Sequence, residues 1–218
     1  MFLFVQQWEI IRGKGADYTD FVLRRHLPIM TKVGLDMIGG FHVIVGSGPR
    51  ISAVSVAHDF LNIQKAVESD DFIQATRELH EFVYNYSNVV LKATGRVNMD
   101  GYGIEVGTWR FNQYYKLIHG TEAAYTQFLQ KEYIPTLNEL GMRVKAEWQV
   151  VLGSGLRLLL EGVTTNLMDV ANTIMSDRFR SLRRQLLSKY AGNYSSRILA
   201  PTGRVEIAYL LGEMTKAL

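Results

Sequence analysis

The chain contains no cysteine and only four prolines in 218 residues. Without cysteine there is no disulfide, no thiolate nucleophile and no zinc–thiolate site. Long apolar runs are also missing: none approaches the roughly 18 residues a membrane-spanning helix needs. The four apolar residues Phe2 to Val5 are too few for a signal-peptide core and follow no basic leader, so a cytosolic protein is expected. Charge has no strong bias, with 24 Lys and Arg against 21 Asp and Glu. A net charge of +3 demands neither a nucleic-acid nor a membrane partner. No catalytic signature appears. The serines lack the strand-to-helix elbow of a hydrolase nucleophile. Gly46-Ser47-Gly48 stands between two apolar runs read as strands, whereas a phosphate loop leads from a strand into a helix.

What the chain does have is an internal copy of itself. Shifted by 107 positions, Gly13, Tyr18, Phe21, Pro28 and Gly34 fall on Gly120, Tyr125, Phe128, Pro135 and Gly141. Gly46-Ser47-Gly48-Pro49-Arg50 lands on Gly153-Ser154-Gly155-Leu156-Arg157, and Ser69-Asp70-Asp71-Phe72 on Ser176-Asp177-Arg178-Phe179. After one inserted residue, Thr94-Gly95-Arg96-Val97 meets Thr202-Gly203-Arg204-Val205 at an offset of 108. A period this long is a folded unit per copy, since solenoid repeats run to about 20–50 residues.

Each copy reads the same way. Phe2 to Ile11 alternates, with Phe2, Phe4, Trp8 and Ile10 on one side, as a strand does. Tyr18, Phe21, Val22 and Arg25 follow at helical spacing, and Pro28 predicts a kink near the helix end. In the second copy Thr121 stands at the helix N-cap. Phe41 to Val45 and Ile51 to Ala57 form strands around the glycine turn, then Asp59 opens a helical region reaching about Phe82. Val89 to Ala93 closes the unit. The second copy repeats these with Trp148 to Leu152, Leu158 to Val163, Asn166 to Tyr190 and Arg197 to Ala200. The order β-α-β-β-α-β is the ferredoxin-like unit. The fold class is therefore α+β, two tandem units with antiparallel sheets, over residues 1–97 and 104–218, the second ending in an added helix over Val205 to Leu218.

This duplicated pattern, with its glycine turn, aromatic helix, proline and glycine hairpin, resembles the dimeric α+β barrel superfamily, most closely its NIPSNAP-type branch. The resemblance implies two sheets packed face to face, within a chain or in a homo-oligomer. It also implies a range of functions: monooxygenases without cofactor, haem-binding and haem-degrading enzymes, and proteins with no assigned reaction. Largely apolar residues on both sides of the second strand agree with a sheet covered on both faces.

Residues shared by the copies serve the fold most simply, and residues present in one copy either drifted or serve one specialised site. Gln6 and Gln113 are shared and lie on the aromatic side of the first strand. With Trp8 and Tyr115 they are candidates to line a pocket for a small planar or aromatic ligand, or else are buried amides satisfied by backbone. Arg50 and Arg157 read as structural. None of the five histidines is shared, and no pair has the spacing of a helical metal motif, so no metal site is expected. By resemblance to haem-handling relatives, His42 and His58 are the candidates for haem ligation or proton transfer. The cluster Arg178, Arg180, Arg183, Arg184 and Lys189 reads as a solvated helix face. The function expected is a small-molecule-binding protein, in catalytic form a cofactor-independent or haem-linked oxygenase. The alternative is a non-enzymatic assembly module with a filled core.

Overall fold

A computed structural model describes residues 1–105, 107–153 and 157–201. The proposed C-terminal helix and the turn residues Ser154-Gly155-Leu156 lie outside the described residues. The chain divides into two compact units, Met1–Val43 with Ser47–Lys92, and Ala93–Ala200 with Ile44–Gly46.

Unit 1 runs β1 (Phe2–Ile10), α1 (Gly15–Phe21), α2 (Leu27–Lys32), β2 (Asp36–Val45), β3 (Ile51–Ala57), α3 (Phe60–Glu68), α4 (Asp70–Leu79) and β4 (Val83–Ala93). Unit 2 repeats it with β5 (Trp109–Leu117), α5 (Glu122–Phe128), α6 (Ile134–Glu139), β6 (Arg143–Leu152), β7 (Leu158–Thr164), α7 (Leu167–Met175), α8 (Asp177–Lys189) and β8 (Ala191–Pro201). In unit 1 the antiparallel pairings give the order β4-β1-β3-β2, and in unit 2 β8-β5-β7-β6. Both are the ferredoxin-like arrangement, so the fold class read from the repeat is what the structure has.

The proline helices carry a feature not read from the sequence. Pro28 and Pro135 lie near the helix ends at Lys32 and Glu139, and each follows a π-helical turn, Val22–His26 and Leu129–Tyr133. Leu27 N–H reaches back to Val22 O and Ile134 N–H to Leu129 O. A proline ring collides with the carbonyl four residues back in a regular α-helix, and the wider turn relieves that collision. The turn also carries His26 and Tyr133, both buried, toward the sheet.

The repeated Ser-Asp-x-Phe motif breaks what was read as one helical region into two. Ser69 and Ser176 hydroxyls accept from Phe72 N–H and Phe179 N–H at 3.3 and 3.1 Å, capping α4 and α8. The caps read at Asp59 and Asn166 are present. Thr121 is not a side-chain cap: its hydroxyl donates to Ile118 O at 2.7 Å. Strands β2, β4, β6 and β8 begin several residues earlier than their apolar runs. Asp36 to Gly40 and the tyrosine-asparagine segments pair without an apolar signature, whereas Arg143 to Glu147 alternate and extend the run of β6. Phe72, Ala75 and Leu79, and Phe179, Leu182 and Leu186, form the buried helix stripes as predicted.

Candidate functional site

In each unit, residues level with one another across the strands share a face. On the helix side of unit 1, Gln6 is level with Ala53 and Gly40, and Trp8 with Ile51 and His42. Three of the predicted site residues, Gln6, Trp8 and His42, are thus on one face. The matching rows in unit 2 are Gln113-Leu160-Glu147 and Tyr115-Leu158-Gln149, which places Gln113 and Tyr115 together in the same way. His58 is exposed beyond the end of β3.

A bulge shapes both sites. The pairing slips between Gln7 and Glu9 in β1–β4 and between Tyr114 and Lys116 in β5–β8. Asn85 and Asn193 take positive φ of 52° and 53° there, a region asparagine tolerates better than other residues with a side chain. Bulges re-aim side chains. Here the following residue, Tyr86 or Tyr194, is brought to the amide.

In unit 2 the result is a hydrogen-bonded network around the amide oxygen. Gln113 Oε1 accepts from Tyr133 OH at 2.6 Å and from Tyr194 OH at 3.0 Å. Tyr115 OH lies 2.6 Å from Tyr125 OH, and Tyr125 donates to Glu147 Oε1. Glu147 Oε2 accepts from Thr94 Oγ1 at 2.5 Å and Arg96 Nη1 at 2.8 Å. Burial, and in Tyr115 and Tyr125 the nearby Glu147, hold the phenols of Tyr115, Tyr125 and Tyr133 well above the ordinary value, so all three remain donors. Arg183 is not on a solvated face: its guanidinium lies over the Phe179 and Tyr194 rings at 5.8 and 5.9 Å. The oxygen of the buried Gln113 amide is satisfied by tyrosines and not by backbone, while its Nε2 has no hydrogen-bond partner.

Unit 1 holds the same frame with fewer of its bonds made. Gln6 Nε2 donates to Tyr86 OH at 2.9 Å, and Trp8 Nε1 to Tyr18 OH at 3.1 Å. Trp8 stacks on Tyr86 and meets the rings of Tyr18 and His26 edge-on at 6.3 and 6.0 Å. Yet Gln6 Oε1, both ring nitrogens of His26 and Thr76 Oγ1 are buried without a hydrogen-bond partner. Leaving a buried polar group unpaired costs about 1–3 kcal/mol. His26 has no exposed surface, and burial lowers its pKa from 6.5 to about 4, so the imidazole is neutral at neutral pH. Burial also lowers the pKa of half-buried His42.

The repeat explains the difference. Tyr133, Glu147, Leu160 and Arg183 of unit 2 correspond to His26, Gly40, Ala53 and Thr76, each of them shorter. The imidazole of His26 stops short of where the phenol of Tyr133 reaches the amide. His26 is the site residue that sequence reasoning passed over. Its signal was an alignment with a tyrosine on an aromatic helix face.

Among the described residues no group of three or more His, Asp or Glu could hold a metal ion, and no helix is long and apolar enough to cross a membrane.

No protein-family model and no curated protein matches the sequence. Solved structures do match. An anthrone oxidase-like protein, 10% identical, aligns over 92% of this chain and 90% of its own with a TM-score of 0.63. A mutant chlorite dismutase from Candidatus Nitrospira defluvii, 12% identical, aligns over 97% of this chain and 94% of its own at 0.61. An uncharacterized NIPSNAP domain protein from Burkholderia xenovorans, 13% identical, aligns over 45% of this chain and 99% of its own at 0.37. At such identities the two full-length likenesses speak to the fold alone.

Proposed function

We propose, for a chain with the dimeric α+β barrel fold, that it binds a small planar aromatic compound between the sheet and helices of unit 1. One observation carries the reading: Gln6 Oε1 and His26 have no partners, while Gln113 and Tyr133 at the matching positions of unit 2 are bonded to each other. A ligand hydroxyl donating to Gln6 Oε1 would repeat what Tyr133 does in unit 2. Neutral His26 offers one donor and one acceptor to the same group. Trp8 and Tyr86 supply the ring faces, and His42 stands at the end of the Trp8 row. Such a mix of aromatic walls with a few aimed polar groups is what ligand sites use. A surface depression lined by Asp17, Phe21, Arg25 and Phe82 lies outside this set, with the Phe21 ring 6.2 Å from His26. We read Gln113 and Tyr115 as the filled, structural counterpart.

The name of one neighbour, an anthrone oxidase-like protein, supports an oxygenase as the catalytic form of this reading. In it, His42 takes the proton of the bound hydroxyl, and dioxygen is the co-substrate. Calorimetric titration with 2-naphthol and with naphthalene tests the binding. The expected result is one site for 2-naphthol, weakened at least tenfold by Gln6→Leu and by His26→Phe. Affinity unchanged in both variants would overturn it. No binding together with concentration-dependent self-association would favour the assembly module, for which the closed interior of unit 2 already speaks. Oxygen uptake with the bound compound tests the catalytic form.

A further inference from the structure

The face of the unit 2 sheet turned away from the helices carries a second polar set that the reading above does not use. Arg110, Asn112 and Tyr114 alternate along β5 with Phe111, Gln113 and Tyr115, and so point to the other side. Asn112 is level with Glu161 on β7 and with Arg197 on β8. Arg110 Nη1 lies 2.9 Å from Glu161 Oε1. Tyr102 OH donates to Glu161 Oε2 at 2.8 Å and accepts from Arg110 Nη1 at 3.1 Å. Arg110, Asn112 and Glu161 are only 1%, 4% and 4% exposed.

The first copy shows that the fold does not need this chemistry. Its residues at these positions are Leu3 for Arg110, Val5 for Asn112, Val54 for Glu161 and Val89 for Arg197. Strands β1 and β3 make the same pairing with those apolar residues that β5 and β7 make with the polar ones. A buried ion pair stabilises little compared with packed apolar side chains. The set therefore has a use other than holding the sheet.

Two observations say what it takes. Asn112 Oδ1 and Trp148 Nε1 are buried without a partner, and Trp148 lies on this face, level with Leu159, which is level with Tyr114. The charges do not cancel. Glu161 neutralises Arg110, but among the described residues no carboxylate is within ion-pair distance of Arg197. The guanidinium of Arg197, half-buried, lies over the Tyr114 ring at 5.2 Å.

We propose that this face binds a small aromatic carboxylate. Arg197 supplies the cation, Asn112 a hydrogen bond and Tyr114 a ring face. Asn112 Nδ2 is now 3.5 Å from Tyr114 OH. Turned over, the amide accepts from that hydroxyl and offers its N–H group to the carboxylate, and the two amide orientations are interchangeable at little cost.

Benzoate and its uncharged analogue benzamide are the probes, titrated calorimetrically into the whole chain. Benzoate is expected to bind one site, at least tenfold more weakly in Arg197→Gln and Asn112→Val, with Arg197→Lys intermediate. Gln6→Leu is expected to leave benzoate binding unchanged, which separates this site from the one proposed in unit 1. In the unaltered protein the Trp148 indole and Asn112 amide resonances should shift with benzoate, a readout that needs no variant. Equal binding of benzamide, unchanged affinity in Arg197→Gln, or absence of benzoate binding at millimolar concentration would each overturn the proposal.

Discussion

The most quantitative consequence of the unit 1 interior is a loss of stability in mild acid that runs through one side chain. His26 has a folded pKa of about 4 against 6.5 for an ordinary imidazole, because burial disfavours its charged form. Above pH 6.5 the ring is neutral in both folded and unfolded chains, and nothing is lost. As pH falls below 6.5 the unfolded chain takes up a proton that the folded chain does not, so folding weakens. At pH 5 the loss is about 2 kcal/mol, and by pH 4 it is about 3 kcal/mol. For a chain of this size that corresponds to a drop in Tm of roughly 6–12 °C by pH 4. The control is His26→Phe, which keeps the ring contacts to Trp8 and Phe21 and removes two unpaired buried nitrogens. Urea unfolding of both proteins from pH 7.5 to 4.5 gives the test. The variant should gain on the parent by about 2 kcal/mol between pH 7.5 and 5. All other titrating groups cancel in that difference, so parallel stability profiles would refute the reasoning.

Glu147→Gln removes a buried carboxylate that receives Tyr125, Thr94 and Arg96, and should lower stability by about 3 kcal/mol in chemical denaturation. Arg110→Leu alone should cost about 3–5 kcal/mol by leaving Glu161 buried and unpaired. Arg110→Leu with Glu161→Val, which installs the first copy's residues, should restore most of that loss. Ser69→Ala and Ser176→Ala should each cost about 1 kcal/mol through a lost helix cap, read from the urea midpoint of each variant.

The repeat made the architecture legible, because two copies under one set of packing rules mark which residues the fold requires. The strand and helix order, the caps at Asp59 and Asn166 and the buried helix stripes could be read that way. The proline positions could not be resolved, since a π turn and a kink begin from the same sequence and differ only in how the backbone absorbs the missing N–H. The early part of β2 was hidden because Asp36 to Gly40 pair through backbone without an alternating pattern, whereas Arg143 to Glu147 of β6 do alternate and could have been read. For the site, shared Gln6 and Gln113 could be found, but not that Tyr133 reaches the oxygen of one amide while the oxygen of the other has no partner. That depends on side-chain reach across the sheet. The Arg110-Asn112-Glu161 face was invisible for a related reason: Glu161 and Arg197 are far from Arg110 and Asn112 in sequence and meet them only through strand register.

The central claim is that unit 1, and not unit 2, takes a ligand between its sheet and helices. Imidazole and side-chain amide nitrogen NMR during a titration with 2-naphthol addresses it most directly. The account predicts that the His26 ring nitrogens and the Gln6 amide shift together with the bound fraction while the Gln113 amide stays fixed. A bound compound that leaves His26 and Gln6 unmoved, or that shifts Gln113 in their place, would contradict it.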